Sequence, residues 1–256
     1  MLNVRVVKVG GNELDRPDWI EAFAPALARL EPVVVVHGGG RAVDALSRRL
    51  GLPVEKREGL RVTTPEIAAV VEMTLAGPVS RRLVLALRGA GLDAIGLTGV
   101  DGGLFRARQA AAELGHTGEI VEVRGALLKS LVLAGFTPVI APIAPPPDGS
   151  PHGVPLNVNA DHAAAAIAGA LGAEELLFVS DVAGLVVNGA TQPQLEVSEI
   201  DVVIARGVAT DGMVAKLRAA ARALGGGARR VRIGDLRMLT DPAAGTRLLA
   251  PAPQPA

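Results

Sequence analysis

Short runs of β-branched residues alternate along the chain with segments whose apolar positions recur every three or four residues. The runs predict buried strands and the longer segments predict the helices that connect them, a pattern that calls for a mainly parallel sheet covered on both faces. Strands are expected at 2–9, 33–36, 94–97, 137–140, 176–179 and 230–233, the last of these closing the sheet. Helices are expected at 18–30, where Trp19, Phe23 and Leu27 share a face, and at 42–50, closed by Gly51. Others follow at 65–76, opened by Pro65 and capped by Thr64 or Thr63, then at 80–89, 125–134, 160–171 and 211–224. Residues 142–155 hold too much proline and glycine for helix or central strand. The expected fold is α/β, a three-layer αβα sandwich around a central mainly parallel sheet. Its internal boundary is expected near Gly172, giving an N-terminal lobe of 1–172 and a C-terminal lobe of 173–256.

The first two strands end in glycine. Val6-Val7-Lys8-Val9 runs into Gly10-Gly11, and the four valines at 33–36 run into His37-Gly38-Gly39-Gly40. Glycine lets backbone amides turn toward an anion that a side chain would hold away. Two such strand ends within forty residues point to one site for a phosphorylated ligand.

Composition narrows the chemistry. The 256 residues carry 26 basic and 26 acidic side chains, a balance that argues against nucleic acid or an anionic membrane as the main partner. No apolar stretch is long enough to span a bilayer, and no basic, apolar leader precedes the first strand. Cysteine is absent, which excludes thiolate metal sites and fits a cytoplasmic protein. His116, His152 and His162 lack metal-ligand spacing, so no protein metal site is assigned. Only Lys8, Lys56, Lys129 and Lys216 among the basic residues are lysine. Lysine offers a compact charge on a flexible stem where arginine offers a planar fork. Either Lys8 and Lys216 are kept to follow a moving phosphoryl group, or their retention is chance.

No Walker A or dinucleotide-binding glycine pattern occurs. The pieces that could carry chemistry each have a plainer alternative when taken singly. Gly59-Leu60-Arg61 also fits an exposed turn with a solvated arginine, and Asn157 and Asp161 also fit turn and cap residues of the next helix. Asp181 also fits a turn former, and His37 a packed core histidine.

Together the pieces resemble the acetylglutamate kinase family of the amino acid kinase superfamily, along nearly the whole chain. The matching segments are Val-Lys-Val-Gly-Gly at 7–11, His-Gly-Gly-Gly at 37–40, Gly-Leu-Arg-Val-Thr at 59–63 and Gly-His-Thr-Gly at 115–118. Asn-Val-Asn-Ala-Asp at 157–161, Ser-Asp-Val-Ala-Gly-Leu at 180–185, Thr-Asp-Gly-Met at 210–213 with Lys216, and Gly-Thr-Arg-Leu-Leu at 245–249 complete the set.

The resemblance implies transfer of the ATP γ-phosphoryl to the side-chain carboxylate of N-acetyl-L-glutamate, in arginine biosynthesis. It implies that Lys8 and Lys216 flank the migrating group and that Asp161 holds both ammonium groups. Gly39, Gly40, Arg61 and Asn157 are then the amino-acid pocket, with Arg61 on the α-carboxylate. Gly10, Gly11, Asp181, Val182, Ala183, Gly184, Leu185, Val186, Val208, Asp211, Gly212 and Met213 are the implied ATP contacts, with Mg²⁺ riding on the phosphates.

The chain departs from relatives at Arg41, where proline is frequent, and at Val100, where lysine is frequent. Val186-Val187-Asn188 also lacks the acid usual after Asp-Val-x-Gly. Two rival readings stay open: a kinase for carrier-protein-linked α-aminoadipate or glutamate in lysine biosynthesis, and a catalytically silent amino-acid or nucleotide sensor on the same fold. Arginine-inhibited hexamers of this family resemble one another in an extra N-terminal helix, and here only Met1 precedes the first expected strand. A homodimer insensitive to arginine is therefore expected, with the 65–87 apolar stripe (Ile67, Val70, Val71, Leu75, Leu83, Leu87) as a candidate two-fold surface.

Overall fold

In the computed structural model, which describes residues 3–250 except for the side chain at 211, successive valines of the first strand divide between two cores. Val6 faces one and Val7 and Val9 the other; Val34 and Val36, then Val33 and Val35, repeat the division in the second strand. A strand buried on both faces has no polar side to show, which is why these runs read as continuous valine.

The strands are β1 (Arg5–Val9), β2 (Val33–His37), β3 (Lys56–Arg57), β4 (Leu60–Arg61), β5 (Ala94–Thr98), β6 (Phe105–Gln109), β7 (Thr117–Val123) and β8 (Thr137–Ala141). They continue with β9 (Ile143–Ala144), β10 (Leu156–Val158), β11 (Glu175–Val179), β12 (Val186–Val187), β13 (Ala190–Thr191), β14 (Gln194–Glu196), β15 (Val231–Gly234) and β16 (Thr246–Leu249). Eight of them form the main sheet in the order β14-β16-β15-β11-β1-β2-β8-β5. Every neighbouring pair is parallel except β15 and β16. The helices are α1 (Gly11–Leu14), α2 (Pro17–Ala28), α3 (Gly40–Arg49), α4 (Pro65–Thr74), α5 (Ser80–Gly89), α6 (Gly125–Leu133), α7 (Ala160–Leu171), α8 (Ile200–Ala205) and α9 (Asp211–Gly225). Side chains of α2, α4 and α5 fill the core on one face, and those of α6, α7 and α9 the core on the other. Three αβα layers result, the expected architecture.

The expected last strand is not the last. After β15 the chain turns through a short 3₁₀ segment and returns as β16, antiparallel to β15. β16 alternates buried and exposed residues, and the parallel pairing of β14 to its other side completes the sheet. Between Gly103 and Gly125, where no element is expected, β6 and β7 pair antiparallel and join β10 and β9 in a small second sheet. Its pattern is period two, with Phe105 and Ala107 inward and Arg106 and Arg108 outward. Those arginines pair with Glu122 and Glu119 across the hairpin. The expected first strand begins at residue 2, outside the described residues.

The apolar stripe at 65–87 is also placed differently. Ile67, Val70, Val71, Leu75, Leu83 and Leu87 are all buried within the subunit, packed on the sheet, and are not available to a second copy.

Alanine and glycine dominate the contact between α7 and α9, where Ala163, Ala164, Ala168, Ala219, Ala220 and Ala223 are buried. The closest approach is at Gly169, where a Cβ would lie 2.9 Å from the Gly226 carbonyl oxygen. Gly225, by contrast, has open space around its Cα. Gly169→Ala should destabilise the fold by about 1–3 kcal/mol, because overpacking against backbone exceeds the helix-propensity gain of about 1 kcal/mol. Gly225→Ala should be neutral or stabilising by up to about 1 kcal/mol. Urea unfolding of the two variants beside the wild type measures both, and equal midpoints would refute the packing account.

Candidate active site

The two glycine loops touch. β1 and β2 are parallel neighbours with Val9 opposite His37, so both chains leave the sheet at one end, side by side. A Cβ on Gly11 would fall 2.7 Å from Gly39 Cα, and the Gly38 amide donates to the Val9 carbonyl at 2.9 Å. Glycine here is a condition of backbone meeting backbone.

Under this contact lies an ion pair. Lys8 is the only charged side chain in β1 besides Arg5, and it is buried at the C-terminal half of the central strand. Its Nζ is 2.8 Å from Asp161 Oδ1, and both side chains are under 10% exposed (7% and 9%). Asp161 stands in the first turn of α7, which Asn159 caps by accepting from the Asp161 and His162 amides. Burial alone would raise the Asp161 carboxyl. The Lys8 and Lys216 charges outweigh it and hold the group below the usual carboxylate range. Lys216, one helical turn into α9, has its Nζ 3.4 Å from the Gly212 carbonyl. Burial and then the Lys8 charge lower its pKa, opposed by Asp161, Glu13 and Asp181.

Gly39, Gly40, Arg61 and Asn157 all line one cavity of about 200 Å³, together with Lys56, Thr117 and Asn159. Arg61 is buried there. Its Nη2 contacts Asp44 Oδ1 and donates to the Gly40 carbonyl at 3.2 Å, while Nη1 is buried with no partner among the described residues. Asp44 also takes Lys56 Nζ at 3.1 Å. Burial would raise the Asp44 carboxyl, but Arg61 and Lys56 together keep it low. Beneath them the Thr117 hydroxyl donates to the Arg61 carbonyl at 2.5 Å, and Asn157 Nδ2 donates to Thr63 Oγ1 at 3.1 Å. That bond commits the amide nitrogen and leaves the amide oxygen of Asn157 to accept.

Asp161 and Gly212 line a second, larger cleft of about 910 Å³ with Lys56, Gly59, Asn159 and Val214. Asp181 lines a third with Asn12, Glu13 and Ser180. The remaining expected nucleotide contacts divide. Val182 and Val186 are exposed, and Ala183, Val208 and Met213 half-buried. Leu185 is buried in the core and its amide is taken by Thr246 Oγ1 at 2.8 Å, so it offers no free group. Gly184 sits against Thr246 and Thr191 at a positive φ of 147°. The Asp211 backbone opens α9, and its side chain lies outside the described residues.

His37 is not a base. It is fully buried with Nδ1 2.9 Å from the Gly38 carbonyl, and burial lowers its pKa to about 4. Among the described residues no three acidic or histidine side chains converge as a metal cluster, and no helix is long and apolar enough to cross a membrane.

Asp44, which braces Arg61, and Glu13, which lines the Asp181 cleft, are absent from the expectations. A signal existed for Asp44: it lies four residues after Gly40, so the same helix face carries it back over the glycine loop. Thr63 and Thr117 stand in two of the quoted segments, but their contact, hydroxyl to hydroxyl at 3.0 Å beside the bridge between Thr63 and Gly115, is one that no spacing shows.

Residues 3–235 match the sequence pattern of the amino acid kinase family. The chain belongs to the amino acid kinase family. An acetylglutamate kinase of Chloroflexus aggregans is 44% identical over 253 residues, covering 97% of this chain and 98% of the relative. Among solved structures, the Streptococcus mutans protein smu.665 superposes with a TM-score of 0.83 at 27% identity, covering 97% of this chain and 99% of that one. Carbamate kinase from Giardia lamblia bound to AMP-PNP superposes at 0.73 with 17% identity, over 97% of this chain and 98% of that one, a likeness of fold. The αβα sandwich is thus that of the amino acid kinases.

Removing the carboxylate partner of Lys8 would leave a buried ammonium uncompensated. Asp161→Asn should destabilise the protein by about 3–5 kcal/mol near neutral pH. The wild type should lose the same contribution on acidification: a depressed carboxyl stabilises above its unfolded pKa, and that contribution fades as pH falls through the folded value. Urea unfolding of both proteins from neutral to acidic pH should show the gap closing as pH falls, and a gap independent of pH would contradict the ion-pair account.

Proposed function

We propose that this chain is an acetylglutamate kinase, transferring the γ-phosphoryl of ATP to the side-chain carboxylate of N-acetyl-L-glutamate in arginine biosynthesis. The observation that carries the reading is the buried Lys8–Asp161 pair, set under two touching glycine loops and beside a cavity in which Arg61 keeps one buried nitrogen unpartnered. Relatives named acetylglutamate kinase at 44% identity over nearly the full chain support it.

In the reaction an oxygen of the acceptor carboxylate forms a bond to the γ-phosphorus as the bond from that phosphorus to the β–γ bridging oxygen breaks. ADP leaves with that oxygen, and no proton moves. Both reactants are anionic, so the protein's task is to align them and stabilise charge. Lys8 and Lys216 stabilise the equatorial oxygens, and Asp161 holds the Lys8 ammonium in place at 2.8 Å. Amides of Gly10, Gly11 and Gly40 receive phosphate oxygens, and Asp181 to Gly184 and Val186 with Val208 and residues 211–213 form the nucleotide cleft, while Leu185 supports it from the core. Arg61 takes the α-carboxylate through Nη1, the nitrogen without a partner, while Asp44 holds the guanidinium plane. The oxygen of Asn157, left free by the bond to Thr63, accepts from the N–H of the acetamido group. A free amino acid would put an unpaired ammonium where the pocket is shaped for a neutral amide. Mg²⁺ supplies charge neutralisation on the phosphates when bound, and the oxygen-rich rim of Asn12, Ser180 and Asp181 suits a hard cation.

The cavity holding Arg61 is lined only by residues before Gly172, whereas Asp181, Gly212 and Lys216 follow it. That division supports an amino-acid-binding lobe at 1–172 and an ATP-binding lobe at 173–256. The assembly proposed is a homodimer in the cytoplasm. With the 65–87 stripe buried, its support is the exposed Met73 and Leu85, on α4 and α5.

ATP turnover that requires N-acetylglutamate is the direct test, and turnover only with a carrier-linked acceptor would overturn the assignment. Arg61→Lys should raise the KM for N-acetylglutamate at least tenfold and leave that for ATP nearly unchanged, since a point charge cannot make the two-pronged contact. Equal losses for both substrates would move Arg61 to the phosphate site.

Lys216 must be charged to stabilise the migrating group, so activity falls as pH rises through its lowered pKa. The basic limb of kcat/KM, which reports the free enzyme, should lie below the ordinary lysine range. Bound triphosphate favours the ammonium, so the limb of kcat should lie higher. Coincident limbs would show that Lys216 does not govern the profile.

A further inference from the structure

One buried charge plays no part in that mechanism. Glu13, on α1 directly after the Gly10–Gly11 loop, is 4% exposed, and its Oε2 is buried without a hydrogen-bond partner. Its carboxylate folds over the Gly10 Cα, occupying the space that a side chain at Gly10 would take. Among the described residues it makes no ion pair. An ionised carboxylate withdrawn from water in this way is costly unless a cation completes it.

The surroundings define that cation. β1 and β11 are parallel neighbours with Val9 opposite Val179, so Glu13 and Asp181 follow adjacent strand ends. With Asn12 and Ser180 they line one cleft of about 400 Å³. Three arginines also line it, but each faces an acid of its own: Arg16 pairs with Asp18 at 2.7 Å, Arg237 with Asp235 at 2.9 Å, and Arg41 lies 3.9 Å from Asp15. Lys216 and Arg16 both feel Glu13 and Asp181 without bonding either; among the described residues Lys216 bonds Gly212 and Arg16 bonds Asp18. A triphosphate arriving at Gly10–Gly11 would add like charge beside Glu13, and repulsion would follow unless a divalent cation came with it. A donor set of carboxylates, an amide and a hydroxyl is all oxygen, which suits Mg²⁺ held by one or two carboxylates plus phosphate.

We propose that Glu13 is a protein ligand of the divalent cation carried by the nucleotide, with Asp181 completing its protein-side coordination. The proposal rests on the kinase reading and makes a demand of its own, that metal affinity be written into the protein as well as the triphosphate.

The test is ADP binding by calorimetry with and without Mg²⁺, and Mn²⁺ binding to the ADP complex by electron paramagnetic resonance, for the wild type and Glu13→Gln. In the wild type Mg²⁺ should tighten ADP binding at least tenfold; in E13Q that gain should vanish while metal-free ADP binds as well as before, or better. Mn²⁺ should bind the wild-type complex at least tenfold more tightly than the E13Q complex. Equal metal gains in the two proteins would overturn the proposal. So would a loss of ADP affinity in E13Q of the same size with and without metal, which would assign Glu13 to Lys216 alone. Should E13Q not fold, Asp181→Asn carries the same comparison. Wild-type protein that binds no ADP at all would overturn the kinase reading, and this one with it; ADP binding that gains nothing from metal would overturn this one only.

Discussion

The 2.8 Å contact between Lys8 and Asp161 joins the middle of the main sheet to the first turn of α7, inside a protein interior where neither charge could stand alone. It sets the height at which α7 begins, and so where Asn157 and Asn159 lie relative to the glycine loops. Those loops can approach backbone to backbone only because Gly11 and Gly39 have no side chain to separate them. The Arg61 cavity forms in the angle between that contact and the start of α7.

A second buried ion pair shows what such a contact looks like when it serves the fold alone. Arg232 meets Glu175 through Nε and Nη2 at 2.8 and 3.2 Å and gives its other hydrogen bonds to the carbonyls of Met238, Asp241 and Ala244. All five guanidinium N–H groups can be placed in these bonds, which tie β15 and β11 to the turn before β16. Arg61 and Glu13 are just as buried and keep an atom unpartnered. A buried guanidinium or carboxylate left incompletely bonded keeps capacity for a further partner, which the saturated Arg232 lacks.

Much of this arrangement was legible in the chain itself, for physical reasons. Strands buried on both faces must be apolar throughout, so β1, β2, β8 and β11 stand out, and α7 spans 160–171 as its alanine run and αL-capping Gly172 demand. The small sheet was hidden because three of the five residues of β6 are arginine or glutamine and it depends on cross-strand acids. β16 was hidden because an antiparallel return after β15 breaks the alternation of strand and helix. The glycine loops and Lys8 announced the site, but Asp44 and Glu13 did not. A carboxylate's value there comes from which atoms surround it, and the surroundings are set by tertiary contact. The 65–87 stripe shows the converse: periodicity says that a face is covered without saying by what.

The continuity of the main sheet has a consequence for motion. β1 and β11 come from opposite halves of the chain, yet pair along five residues each, from Arg5 with Glu175 to Val9 with Val179. Separating the halves like a book would strain the ladder at its most buried seam. Entry and exit of anything held between the loops then fall to pieces outside the sheet: the β3–β4 ribbon carrying Lys56 and Arg61 on one side, and the β12–β13 ribbon after Asp181 on the other. Each is a two-residue ladder outside the main sheet, with few strand bonds of its own to break. The seam that joins the two halves is thus the longest of these ladders, and the pieces that flank the loops are the shortest.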